Sequence, residues 1–187
     1  SRKLSEQGAT GIQVAAALSE QTDELLRALF QEVLSTLNSE DREQVERYSA
    51  VVAIGGSGRG ELSPYSDTDL LFLYAGKAAR PFENCTAQMV RDCWDAGLSL
   101  GHSMRTIGES ISLARQEPEI ATASLEARLL YGHEDFFETF RHRFRRKVVS
   151  SRLGKFLDDC IAARYQERVL QGNSVSRLEP DIKRSLG

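Results

Sequence analysis

Residues 51–73 read VVAIGGSGRGELSPYSDTDLLFL: an apolar run, four glycines within six residues, a polar segment, then two aspartates one residue apart at the head of a second apolar run. The β-branched run 51–54 predicts a short strand halted by Gly55 and Gly56. Residues 70–74 predict a longer strand halted by Ala75 and Gly76. On such a strand Asp67 and Asp69 point to one face, with Cα atoms about 6.5 Å apart, while Thr68 points to the other. Burying an unpaired carboxylate is costly or forces it to protonate, so two of them on an apolar strand are read as a cation site. Magnesium takes oxygen ligands, typically one or two carboxylates completed by water and substrate phosphate, and the pair suits that ion.

The glycines fit no standard phosphate loop. Gly55 and Gly60 have the separation of a Walker A loop, but Glu61 stands where its lysine belongs. The dinucleotide pattern GxGxxG fails in both registers, because Glu61 or Ser63 replaces the third glycine. What is left is a glycine-rich turn after a strand, where backbone N–H groups can approach phosphate oxygens unobstructed by a Cβ. The turn and the aspartates together point to phosphate and metal chemistry, which neither feature does alone.

Outward from this stretch, residues 11–37 carry apolar side chains at helical spacing, including Val14, Leu18, Leu26, Phe30 and Leu34. Residues 83–97 predict a further helix with Met89, Val90, Cys93 and Trp94 on one side, and residues 98–107 a third strand interrupted at Gly101. From Pro118 to residue 171 the pattern reads as helical, with a break at Gly132 and His133. The order of elements predicts a small mixed α/β sheet with helices packed beside it. The expected division is an N-terminal helical segment over 1–48, a core over 49–115 and a C-terminal helical region over 116–187.

The chain has 187 residues, 41% hydrophobic and 27% charged, with a formal charge of −3. Such a balance gives no general attraction to nucleic acid or to an acidic membrane. The densest basic stretch, RHRFRRK at 141–147, spreads its charges around a helix and holds one aromatic, so it reads as a solvated face and not a stacking platform. Cys85, Cys93 and Cys160 lack CxxC spacing and read as reduced thiols. No export signal and no membrane-length apolar run is seen. A cytoplasmic protein with neither nucleic-acid nor membrane partners is expected.

The stretch IGGSGRGELSPYSDTDLLFL at 54–73 resembles the signature of the polymerase-β-like nucleotidyltransferase superfamily. With LGHSMRT (100–106), SLEARLLYG (124–132), RLEPDIKRSLG (177–187) and GATGIQVAAALSEQTDELL (8–26), the resemblance narrows to the catalytic region of the bacterial PII uridylyltransferase/uridylyl-removing enzymes and spans nearly the whole chain. It implies the α+β nucleotidyltransferase fold, with an N-terminal helix and a C-terminal helical bundle. It also implies transfer of UMP from UTP, or of another NMP from its NTP, to a tyrosine of a PII-type nitrogen-regulatory protein. Asp67 and Asp69 would be catalytic and hold two Mg²⁺ ions, and Gly55, Gly56, Ser57, Arg59, Ser66 and Lys183 would meet the nucleotide. Many such enzymes add a third carboxylate from a neighbouring strand, and residues 98–107 offer none, so Glu179, Asp181 and His102 stand as supplementary candidates. Glu126 and Arg128 suggest an ion pair or a core anchor. The related phosphohydrolase and sensing domains have no counterpart among the three histidines here, so UMP removal is not expected. The alternatives are a nucleotide-binding regulatory module without turnover and a related adenylyl-transferring enzyme.

Overall fold

A computed structural model describes residues 10–63 and 66–170. Its centre is a four-stranded mixed sheet in the order β3-β2-β1-β4, formed by β1 (Ser49–Ala53), β2 (Thr68–Tyr74), β3 (Leu100–Thr106) and β4 (Arg128–Gly132). β1 is antiparallel to both β2 and β4, and β3 is parallel to β2. All five residues of β1 are buried, as expected of a central strand covered on both faces.

Strand alternation sends Val51, Ala53, Leu70 and Phe72 to one face, where they meet α1 (Gly11–Ser35), α2 (Ser39–Tyr48) and α4 (Ala79–Asp95). Phe82 of α4 lies edge-on to both Phe30 of α1, at 5.9 Å, and Phe72, at 6.1 Å. Ala50, Val52, Leu71 and Leu73 face the other way. They join α5 (Ile107–Ala114), α6 (Pro118–Leu125), α7 (Glu134–Phe144) and the start of α8 (Leu153–Leu170) through Ile111, Ala121, Phe140 and Phe156. A π-helical turn (Arg145–Val149) and a 3₁₀ turn (Ser150–Arg152) join α7 to α8.

Helix starts follow their capping chemistry. Thr10 accepts the Gln13 N–H while the Gln13 side chain accepts the Thr10 N–H, and Thr106 with Glu109 repeats the arrangement at α5. The α1 helix matches the periodicity of 11–37 almost to the residue.

The structure corrects two readings. Residues 118–171 are not helical throughout, because Arg128–Gly132 forms β4 on the free edge of β1. Gly132 ends that strand at φ +123°, where an added Cβ would overlap the Ser49 carbonyl and Ala50. On α4, Met89, Val90 and Cys93 are buried as expected, but Trp94 is 57% exposed.

Candidate active site

The site forms where β1 ends and β2 begins, two points that antiparallel pairing places side by side. After Ile54 the chain turns at Gly55, with φ +57°, a conformation that glycine adopts without strain. It then winds one short helix, α3 (Gly55–Arg59), closed by Gly60 at φ +74°. The glycine turn is therefore helical. Gly58 is needed there because a Cβ would run into the Glu126 backbone carbonyl.

Asp69 is fixed to this turn through its backbone. Its N–H donates to the Ser57 hydroxyl at 3.0 Å, and its carbonyl accepts the Ile54 N–H at 3.1 Å. Ser57 is buried, so its oxygen clamps the turn to the strand, and its own hydroxyl hydrogen is left for a further acceptor. The Asp69 carboxylate lies over Gly101 of β3, with one oxygen 4.0 Å from where a Gly55 Cβ would be. Asp67 precedes the strand by one residue and is half-buried, whereas Asp69 is exposed and Thr68 between them is buried. The acids thus sit at the open end of the sheet and not in its apolar middle. Their closeness to the glycine turn, and not burial, is what suits them to a cation.

Both acids line a cleft of about 510 Å³ together with Gly56, Ser57, Arg59, Glu61 and Ser66. Gly11, Ile12 and Ala15 from the first turns of α1, with Leu62, form an apolar wall to the same cleft. The Leu62 N–H donates to Ser19 of α1 at 3.3 Å, tying that wall to the loop after the turn. Ser66 donates its hydroxyl to the Ser63 carbonyl at 2.9 Å.

Arg59 reaches the cleft already engaged, bonding Glu61 at 2.9 Å and pairing with Glu126. Those bonds hold its guanidinium pKa above the ordinary value, the Glu61 hydrogen bond contributing most. The suggested Glu126–Arg128 pair does not form: Arg128 turns to Asp23 on α1 and to the carbonyls of Ser57 and Gly58. His102 is placed on the sheet face opposite the Asp69 side chain. It is level with Leu70, and its ring lies 6.1 Å from Phe72 and 6.2 Å from Trp94. Glu179, Asp181 and Lys183 lie outside the described residues.

Among the described residues no group of three or more His, Cys, Asp or Glu side chains is placed to hold a metal. β3 contains no carboxylate, and Gly101 occupies the position across from Asp69. Asp67 and Asp69 alone still fit Mg²⁺, which commonly takes one or two carboxylates and leaves its other positions to water and phosphate. Sequence reading missed Gly101 as a cradle for Asp69, Glu126 as a partner of Arg59, and the Asp23–Arg128 pair. The broken alternation at Gly101 was the one visible signal.

A mixed sheet with a glycine turn at one strand end and an Asp-x-Asp pair at the head of the neighbouring strand is the arrangement of a nucleotidyltransferase, and the family comparison agrees. Residues 1–104 match the family described as "Putative nucleotidyltransferase DUF294", and the chain belongs to that family. It is similar to the bifunctional uridylyltransferase/uridylyl-removing enzyme of Rhodospirillum rubrum, 36% identical over 186 residues that make up 100% of this chain and 20% of that protein. The enzyme of the same name from Phenylobacterium zucineum is 36% identical over 97% of this chain and 19% of its own length. That from Azospirillum brasilense is 39% identical over 73% of this chain and 15% of its own. The chain therefore spans about a fifth of the length of the first two relatives. None of its described helices is long and apolar enough to cross a membrane.

Proposed function

We propose that this chain is the nucleotidyl-transfer unit of a uridylyltransferase, moving UMP from UTP to a tyrosine hydroxyl of a PII-type signalling protein in the cytoplasm. The observation that carries the reading is the convergence of Asp67, Asp69 and the glycine turn on one cleft. The relatives' names support uridylyl transfer, and the PII acceptor follows from the resemblance in the motifs.

Asp67 and Asp69 would hold Mg²⁺, which supplies charge neutralisation at the α-phosphate and at the departing pyrophosphate. The chain's own residues position and exclude. Gly55 and Gly56 let the triphosphate approach the backbone, and the Ser57 hydroxyl hydrogen offers it a donor. Arg59 and Glu126 are 43% and 35% exposed, and an ion pair so open to water is worth about 0–1 kcal/mol. A triphosphate therefore competes well for this guanidinium. The tyrosine oxygen attacks the α-phosphorus as the bond to the α–β bridging oxygen breaks; pyrophosphate leaves and the phenolic proton passes to solvent. Positioning and electrostatics carry such a reaction, with little covalent work for the protein.

The test is transfer of labelled nucleotide to a PII protein with Mg²⁺, the four NTPs assayed in parallel. UMP incorporation supports the reading, and a preference for ATP would move it to an adenylyl transfer. One observation favours a second reading, a nucleotide-binding module without turnover: β3 has glycine at the position facing Asp69 and supplies no third carboxylate. NTP binding without transfer to any acceptor would decide for that module.

A further inference from the structure

Asp23 is a buried acid that the transfer chemistry leaves unused. It projects from the middle of α1, is 8% exposed, and pairs with Arg128 of β4; Arg27 stands farther off at 3.9 Å. Arg128 is the first residue of the strand missed by sequence reading, and all three nitrogens of its guanidinium make hydrogen bonds. One terminal nitrogen binds Asp23. The other reaches the second Asp23 oxygen at 3.3 Å and the Ser57 carbonyl at 2.8 Å, and Nε donates to the Gly58 carbonyl at 3.1 Å.

Ser57 and Gly58 belong to α3, five residues of which three are glycine. Glycine is among the poorest helix formers, and a single turn bears the whole cost of nucleation with almost no propagation. Such a turn does not hold its shape unaided. Here a cation meets its C-terminal carbonyls, where positive charge and N–H donors are most favourable. The planar fork of arginine spans two carbonyls and a carboxylate at once, which a lysine ammonium cannot do.

We propose that Arg128, oriented by Asp23, is the positioning residue that sets the geometry of the phosphate-binding turn. It touches the turn from behind while the nucleotide meets the other side. The proposal rests on the reading of the cleft as an NTP site.

The test compares the full chain with Arg128→Lys and with the charge-exchanged pair Asp23→Arg/Arg128→Asp. Three readouts are needed: Tm, titration with UTP and Mg²⁺, and hydrogen exchange at the Gly58, Gly60 and Glu61 amides, which close the turn. Arg128→Lys keeps a cation for Asp23, so Tm should shift little. UTP binding should weaken at least about tenfold, as expected for a displaced site, and turn exchange should quicken while core amides stay protected. The exchanged pair restores the attraction but puts no donor under the two carbonyls, so it should recover Tm relative to either single variant but not affinity. Wild-type affinity in Arg128→Lys, or recovery of both properties in the exchanged pair, would overturn the proposal. If the wild-type chain binds no NTP, the functional reading fails by itself. The exchange data then decide this inference alone: quickened turn amides in Arg128→Lys support it and unchanged ones overturn it.

Discussion

Gly101 stands directly across from Asp69 in the β2–β3 ladder, and a Cβ at 101 would occupy the space of the Asp69 carboxylate. The obstructing atoms are the end of a side chain and not backbone, so Gly101→Ala should move the acid more than it harms the fold. Displacing a reacting group by about 1 Å costs on the order of a hundredfold in rate. The expected result is nucleotidyl transfer reduced to about that extent with Tm nearly unchanged. Retained transfer would show that the acid tolerates another position.

Asp67→Asn and Asp69→Asn should each reduce transfer by at least about a hundredfold, the scale set by losing a group aimed at developing charge. Both variants should stay folded, because the two acids sit at the open end of the sheet and not in its apolar middle. Labelled-nucleotide incorporation and thermal melts on the same preparations check both halves. Full activity in either variant rules out the carboxylate pair as the cation site.

Arg59 is shared among Glu61, Glu126 and, on the functional reading, the triphosphate. Neutralising one competitor with Glu126→Gln should release part of the exposed pair's energy, lowering the KM for NTP by up to about fivefold. Arg59→Ala should raise it by more. A KM unchanged in both variants would place Arg59 outside nucleotide binding and leave it as a surface tie between α3 and the end of α6.

Cys85 and Cys93 are buried on α4, and burial, the larger cause for each, pushes both thiols up to about 11; Asp41 adds to the rise at the first and Asp92 at the second. A raised thiol pKa leaves less thiolate at any lower pH. At pH 8 only about one molecule in a thousand would carry it at either position, where an ordinary cysteine would have about one in four. Both should resist thiol reagents in the native protein and react at normal rates in denaturant. Fast native labelling at either position would mean that α4 opens from the sheet.

How much of this was legible depended on whether a signal lay within a few residues. The helix at 11–35, the strand ends around Gly55 and Ala75, and the Asp-x-Asp pair all write their geometry into short periodicities and turn residues. β4 did not, because five residues, four half-buried around a buried Leu130, between two helical patterns carry too little alternation to outweigh their neighbours, and what makes them a strand is the open side of β1. The glycine turn looked like a loop because glycine disfavours helix, and it is helical because Arg128 meets its carbonyls from 70 positions away. No spacing rule connects a guanidinium to a backbone oxygen at that separation. His102 was placed near the acids by its strand, and strand parity sends it to the opposite face.

The late arrival of β4 in the chain has a consequence beyond the site. A protein cleaved or shortened before residue 128 would keep the residues of both acids and of the glycine turn but lose the arginine that braces that turn, and β1 would lose its partner along one whole side. An uncovered strand whose residues are otherwise all buried is a template for pairing with strands of other molecules. Loss of that short edge piece would therefore convert an orderly fold into a seed for aggregation, well before any chemistry could be assayed.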